Sequence, residues 1–231
     1  MRAAEPATAE EIRERHDRLL ERLRAAAERN GHDPDRLRIL AVTKGWPVEV
    51  ARAALDAGLT MLGESRVQEA EPKVEKLPRA EWHLVGRLQS NKARRAVRAF
   101  AVIHSVDSDA LLERLTRFAR EEGRRPRFLV QVNVTGEAAK AGMTPDEVLG
   151  LAPELADQPV AGLMTMARMR ATEEEARATF RRLRQLRDRV AEASGVGLEE
   201  LSMGMSDDAE AAAAEGATLV RVGTALFGAR P

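Results

Sequence analysis

The chain has 231 residues, of which 44% are hydrophobic and 32% are charged, and its 37 basic residues balance 37 acidic ones. This length fits one α/β barrel domain, the zero formal charge argues against a dedicated nucleic-acid binder, and the lack of cysteine excludes disulfides and cysteine nucleophiles. Because the sequence has no signal-peptide pattern and no apolar run of membrane-spanning length, we expect a cytoplasmic protein that does not bind membranes.

The chain begins with a predicted flexible tail at residues 1–6, and residues 7–231 are predicted to form one domain. Thr8 and Glu11 form a capping box, which an apolar stripe at helical spacing follows as far as Gly31. Beyond this N-terminal helix, short apolar segments alternate with amphipathic ones. The predicted strands are residues 37–43, 60–62, 82–85, 101–104, 128–134, 160–164, 198–202 and 218–222.

Capping signals mark several of the helices between these strands. Thr144 with Glu147 and Thr172 with Glu175 are capping-box pairs, and Ser65 with Gln68 predicts a further helix start. Strict alternation of strands and helices implies a parallel sheet, and eight units favour closure. The predicted fold class is therefore α/β, a single (β/α)8 TIM barrel with an extra N-terminal helix. A doubly wound open sheet is the alternative.

Functional residues of such barrels gather at the carboxyl ends of the strands. Lys44 continues the first strand and, by alternation, shares the side of Leu40 and Val42. A partly desolvated lysine at the barrel mouth is an amine nucleophile suited to a Schiff base. The alternative, which spacing alone favours, is a lysine that ends a strand and faces water.

The segments after strands 7 and 8 have the composition of a phosphate site. Gly204 and Gly223 allow backbone N–H groups to approach a phosphate, while Ser206 and Thr224 add hydroxyl donors. Ordinary glycine turns and helix caps are the alternative for either segment alone. Their joint occurrence at the ends of strands 7 and 8 favours phosphate binding.

Other polar residues at strand positions are less decisive. Arg221 interrupts an apolar strand and must be paired, either with a structural ion-pair partner or with the ring nitrogen of a bound pyridoxal 5′-phosphate (PLP). We predict that Ser65 is a helix N-cap, that His83 is a hydrogen-bonded core histidine, and that Asn133 lines the mouth or caps its own loop. The four histidines lack metal-ligand spacing, so no metal is expected.

A series of motifs in chain order resembles the pyridoxal phosphate homeostasis proteins of the YggS/PROSC type. They include Ala-Val-Thr-Lys at 41–44, Gly-Glu-Ser-Arg-Val-Gln-Glu at 63–69, Trp-His-Leu-Val-Gly-Arg-Leu-Gln-Ser-Asn-Lys at 82–92, Leu-Ser-Met-Gly-Met-Ser at 201–206 and Val-Arg-Val-Gly at 220–223. The resemblance implies a barrel similar to the N-terminal domain of alanine racemase. It also implies the cofactor-binding residues Lys44, Ser65, Ser206, Arg221, Gly223 and Thr224.

Within that set, the resemblance implies that Lys44 carries PLP as a Schiff base and that Arg221 faces the ring nitrogen. Phosphate contacts are implied for Ser206, Gly223 and Thr224. The family usually has asparagine where this chain has Ser65, and a shorter serine brings a direct cofactor contact from that position into question.

The implied function is intracellular PLP homeostasis by a PLP-binding protein without an established reaction. Its expected partners are PLP and PLP-dependent apoenzymes, and we expect a monomer. The alternative is a small fold-type III PLP enzyme such as an amino-acid racemase. Racemisation requires a base on each face of the substrate, which alanine racemases supply with a lysine and a tyrosine. This chain contains no tyrosine, which favours the binding protein.

Overall fold

The computed structural model describes residues 7–137 and 141–229, so the predicted tail at residues 1–6 lies outside the described residues. Eight parallel strands are hydrogen-bonded in chain order and form a closed barrel. They are β1 (Arg38–Val42), β2 (Met61–Glu64), β3 (Glu81–Leu84), β4 (Val102–Val106), β5 (Arg127–Gln131), β6 (Val160–Met164), β7 (Glu200–Ser202) and β8 (Leu219–Val222).

Closure depends on the pairing of the first strand with the last. Four residue pairs join β1 to β8 in parallel register, from Arg38 opposite Leu219 to Ala41 opposite Val222. This pairing confirms the predicted (β/α)8 barrel and excludes the open sheet. It also makes the segments that follow β1 and β8 neighbours, although they lie near opposite ends of the sequence.

Helices cover the barrel, and an additional helix precedes β1 as predicted. In the described part of the chain the α-helices are α1 (Ala9–Arg29), α2 (Val48–Asp56), α3 (Val67–Lys76), α4 (Ala93–Ala99), α5 (Asp109–Glu121), α6 (Pro145–Gly150), α7 (Glu173–Ser194), α8 (Ala209–Ala214) and α9 (Thr224–Phe227). Capping boxes at Thr8, Thr144 and Thr172 are confirmed. None of these helices combines the length and apolar character that crossing a bilayer requires.

Several strand ends differ from the predicted ones by up to three residues, and one predicted helix cap is wrong. Strand β5 ends at Gln131 rather than at residue 134, and Asn133 belongs to the following loop, where its side-chain amide donates to the Glu137 carbonyl at 2.8 Å. Helix α3 has Arg66 rather than Ser65 at its N-cap, without a side-chain capping bond. The Ser65 backbone packs against Gly86, where an added Cβ would lie 2.2 Å from the Ser65 carbonyl oxygen. A contact with a distant loop therefore accompanies the later helix start.

Alternate residues of β1 enter two different environments. Ile39 and Ala41 of β1 join the large apolar layer between barrel and helices. Leu40 and Val42 form a separate cluster with Leu219 of β8, inside the barrel. The alternation expected from the sequence is thus present, and it directs the residue two positions after Val42 toward the barrel mouth.

Gly162 of β6 lies against the backbone of β7, where an added Cβ would be 1.9 Å from the Glu200 carbonyl oxygen. Gly162→Ala is expected to lower the free energy of unfolding by about 3 kcal/mol, because the clash forces β6 and β7 apart. Chemical denaturation measures this change. Gly150→Ala is the control, since an added Cβ there meets no atom within 4 Å. Equal stability of the two variants would contradict the close strand contact.

Candidate functional site

A cavity of about 620 Å³ opens at the carboxyl ends of β1, β7 and β8. Five of the six residues predicted to bind a cofactor line this cavity, namely Lys44, Ser206, Arg221, Gly223 and Thr224. These residues come from three separate loops and strand ends. The geometry therefore brings an amine, a guanidinium group, two hydroxyls and a glycine backbone to a single concave surface.

Lys44 occupies a tight turn immediately after β1. The Trp46 backbone N–H donates to the Thr43 carbonyl at 3.1 Å, and Gly45 has a φ of 74°, a conformation that favours glycine. The Lys44 side chain is exposed, so the partial burial expected of a Schiff-base lysine is absent and the water-facing lysine that spacing alone favoured is found. As strand alternation predicts, Lys44 lies on the side of the barrel mouth. The turn, however, brings its amine to the open mouth rather than into the core.

A buried ion pair holds the residue just before Lys44. Lys73 Nζ of α3 donates to the Thr43 carbonyl oxygen at 3.1 Å and to Glu64 Oε1 at 2.5 Å. The Thr43 hydroxyl donates to the same carboxylate oxygen at 2.8 Å. Burial raises the pKa of Glu64, and the hydrogen bond from Lys73 opposes that rise. These contacts anchor the Lys44 turn to β2 and α3.

The loop after β7 presents Ser206 to the cavity. Asp208 closes this loop by accepting from the Met205 backbone N–H at 2.6 Å. Gly204 has a φ of 87°, and an added Cβ would lie 2.5 Å from the Ala212 side chain of α8. Gly204 therefore permits close packing of α8 against the loop, and it is Ser206 that lines the cavity.

The segment after β8 forms another wall. Gly223 precedes α9, and the Leu226 and Phe227 N–H groups both donate to its carbonyl at 3.0 Å. An added Cβ at Gly223 would lie 3.2 Å from the Val42 carbonyl oxygen. Glycine therefore lets the end of β8 approach the end of β1, while Thr224 remains exposed beside it.

Arg221 is a buried cation at the base of the cavity. Its Nη1 donates to the Ser202 hydroxyl oxygen at 2.7 Å, and its Nη2 donates to the Thr165 carbonyl at 2.9 Å. Burial lowers the pKa of Arg221 to about 10, so the side chain stays protonated at neutral pH. Two of its five N–H donors have protein acceptors in these bonds, and the side chain lines the cavity.

Ser65 is the one predicted site residue that does not line this cavity. It borders a neighbouring cavity of about 1050 Å³, together with Arg66, Arg87 and Lys92. The turn before α3 carries it away from the group around Lys44. The predicted cofactor contact from Ser65 therefore has no support in the geometry.

Trp46, Val85 and Asp207, which were not among the predicted site residues, also line the 620 Å³ cavity. The Trp46 ring packs edge-on against Phe227 of α9, with ring centroids 6.4 Å apart. This contact joins the loop after β1 to the helix after β8. The available signal was that one of only two tryptophans in the chain stands two residues after Lys44.

The chain is a closed barrel with a lysine after β1 and hydroxyl-bearing loops after β7 and β8. A family model identifies the class of proteins to which this barrel belongs. Residues 15–231 match the family model described as "Alanine racemase, N-terminal domain". The fold is also that of the alanine racemase of Clostridium difficile, with a TM-score of 0.70 at 16% identity over 90% of this chain and 56% of that one.

Closer relatives define the family within this class. The chain is 41% identical over 222 residues to the "Pyridoxal phosphate homeostasis protein" of Aquifex aeolicus, covering 94% of this chain and 97% of that protein. PipY of Synechococcus elongatus, whose structure was solved with PLP bound, is similar with a TM-score of 0.78 and 43% identity, covering 91% of this chain and 100% of that chain. The chain belongs to the pyridoxal phosphate homeostasis protein family.

Replacing Lys73 by methionine removes the cation from a buried carboxylate. Lys73→Met is expected to lower the free energy of unfolding by about 3–5 kcal/mol, because Glu64 is left without its charged partner. Chemical denaturation tests this expectation. Lys76→Met is the matched control on the exposed side of α3, where a change within about 0.5 kcal/mol is expected. If both variants were equally stable, the buried pair would have no anchoring role.

Proposed function

We propose that this chain binds PLP in the 620 Å³ cavity, carries it as a Schiff base on Lys44, and takes part in intracellular PLP homeostasis. The observation that carries the proposal is the convergence of Lys44, Ser206, Arg221, Gly223 and Thr224 on one cavity. Family membership adds independent support, because a relative covering most of this chain was solved with PLP bound.

The chemistry of the lining residues fits PLP. When bound, PLP supplies an aldehyde that condenses with an amine. The Lys44 nitrogen would form a C=N bond to the aldehyde carbon, and the aldehyde oxygen would leave as water. Because the Lys44 side chain is exposed, that water and the departing cofactor have a direct path to solvent.

The phosphate would be held by the loops after β7 and β8. Ser206 and Thr224 offer hydroxyl donors, and Gly223 offers backbone without a side chain in the way. Barrels of this class frequently bind phosphate at this position. The exposed mouth keeps the phosphate near the surface, which suits a cofactor that is taken up and released.

Arg221 would face the pyridine nitrogen. A guanidinium group donates hydrogen bonds but stays protonated, so it does not hand the ring nitrogen a proton as a carboxylic acid would. The bound ring would then be a weak electron sink, which suits holding the cofactor more than transforming an amino acid. The name of the curated relatives likewise states a homeostatic role and no reaction.

Partners beyond the cofactor remain predictions from the sequence. We propose that PLP-dependent apoenzymes exchange PLP with this chain, because the Schiff base forms reversibly and its lysine is accessible. The cytoplasmic location and the monomeric state are likewise proposed from the sequence.

Lys44 is expected to be the attachment point. Purified protein loaded with PLP should absorb in the visible range, and borohydride reduction should fix the cofactor to the peptide containing Lys44. Lys44→Ala should retain no fixed cofactor, whereas Lys92→Ala should behave like the unchanged chain. Mass spectrometry of the reduced protein gives the position, and cofactor found on Lys92 or Lys140 would contradict the assignment.

Ser206 is expected to recognise the phosphate. Since a hydrogen bond to a charged group contributes about 1.5–3 kcal/mol, Ser206→Ala should weaken PLP binding by that amount. Binding of unphosphorylated pyridoxal should hardly change in the same variant. Titration calorimetry with both ligands makes the comparison.

Ser65→Ala serves as the serine control, because Ser65 lines the neighbouring cavity and its loss should leave PLP affinity unchanged. Equal weakening of PLP and pyridoxal by Ser206→Ala would show that Ser206 supports the fold instead. A loss of PLP affinity in Ser65→Ala would favour the cofactor contact that the resemblance implies.

A further inference from the structure

The barrel interior contains a continuous row of hydrogen-bonded polar side chains where such barrels usually hold branched apolar ones. The row starts at Arg221, whose Nη1 donates to Ser202 Oγ at 2.7 Å. Ser202 Oγ is 2.9 Å from His104 Nδ1, and His104 Nε2 is 2.9 Å from His83 Nδ1. His83 Nε2 lies 3.0 Å from Glu81 Oε1, which ends the row.

The far end of this row lies at the opposite, amino-terminal end of the barrel. Glu81 is the first residue of β3, and it accepts from Arg127, the first residue of β5, at 2.8 Å. Arg38 and Glu200 begin β1 and β7 and are paired at 2.5 Å. Four charged side chains from the odd-numbered strands thus close the barrel base, and the row connects that base to the cavity.

The two ends of the row constrain the direction of the hydrogen bonds within it. Arginine can only donate, so the Ser202 oxygen accepts from Arg221, and the hydroxyl hydrogen is available for His104 Nδ1. At the other end, the hydrogen bond with His83 lowers the pKa of Glu81, and an ionised carboxylate can only accept. His83 Nε2 must therefore carry a hydrogen.

The two histidines can satisfy these constraints in one way while remaining neutral. Burial lowers the pKa of His83, and it lowers that of His104 well below its ordinary value of 6.5. A neutral His83 with its hydrogen on Nε2 accepts at Nδ1, so His104 donates from Nε2. A neutral His104 then accepts at Nδ1 from the Ser202 hydroxyl. Both rings are then Nε2–H tautomers, and all the hydrogen bonds run from Arg221 toward Glu81.

We propose that Ser202, His104 and His83 are positioning residues that orient Arg221 through this row of hydrogen bonds. The other N–H groups of Arg221 then point to a hydrogen-bond acceptor in the cavity. This inference rests on the proposed function, in which that acceptor is the pyridine nitrogen of PLP. Ser202 and Thr165 restrain the Nη1 and Nη2 ends of the guanidinium group. A ring with an acceptor nitrogen would therefore be preferred over one without it.

The direction of the row can be measured on the unchanged chain without cofactor, with variants used only to assign the signals. Long-range ¹H–¹⁵N NMR on protein labelled with ¹⁵N-histidine distinguishes the two neutral tautomers and the charged ring. At pH 7.5 we expect two of the four histidines, assigned to His83 and His104 with single His→Gln variants, to be Nε2–H tautomers. A hydrogen on Nδ1 of either ring, or a charged ring, would overturn the proposed direction.

The effect on Arg221 is measured by binding of two ligands to the full chain. Ser202→Ala should weaken PLP binding about tenfold or more, since a hydrogen bond involving a charged group has that effect on affinity. Binding of 1-deazapyridoxal 5′-phosphate, which has carbon in place of the ring nitrogen, should be unchanged by the same substitution. Ser105→Ala is the matched control, because Ser105 is a buried barrel serine whose Oγ has no hydrogen-bond partner among the described residues.

The outcomes separate this inference from the proposed function. Equal weakening of PLP and the deaza compound by Ser202→Ala would show a merely structural role, and unchanged PLP binding would show no role; either result overturns the proposal. If the unchanged chain bound neither ligand, the proposed function would fail. The NMR experiment would still decide the direction of the row.

Discussion

Hydrogen bonding between β1 and β8 is the constraint on which the site depends. Lys44 follows the first strand of the barrel, whereas Arg221, Gly223 and Thr224 belong to the last strand and its loop. Only closure of the sheet makes these two ends of the chain adjacent. The absence of a side chain at Gly223, next to the Val42 carbonyl, lets the two strand ends approach. An open sheet of the same eight strands would leave the amine and the guanidinium group on opposite edges.

A second constraint is the cost of burying the Arg221 cation. A buried charge is tolerated only where hydrogen bonds replace its lost hydration. The strands therefore direct Ser202, His104 and His83 into the barrel interior, at positions where a barrel usually packs Val, Ile or Leu. The row of polar side chains continues until it reaches a carboxylate at the barrel base. Replacing such groups by apolar ones is often neutral for stability, so their presence is better explained by the orientation of Arg221.

The site combines this rigid base with an accessible mouth. Between β2 and α3, Lys73 and Glu64 fix the carbonyl of Thr43 just before the lysine turn. Inside the barrel, the row fixes Arg221. Lys44 and Thr224 nevertheless remain exposed. Preorganised supporting contacts are what a selective binding site requires, and an open mouth is what reversible loading requires. The buried contacts around Thr43 and Arg221 meet the first requirement, and the exposed mouth with Lys44 and Thr224 meets the second.

The sequence by itself determined the features that depend on local spacing. Alternation of apolar residues located the eight strands, threonine–glutamate pairs located helix starts, and the residues at the ends of strands 1, 7 and 8 indicated the cavity. Tertiary structure decided what depends on contacts between distant residues. Gly86 packs against Ser65 just before α3, pairing of β1 with β8 brings Lys44 and Arg221 to one cavity, and the row from Arg221 to Glu81 joins four strands. Local spacing cannot reveal such contacts, because each becomes possible only when the closed barrel brings separate strands within hydrogen-bonding distance.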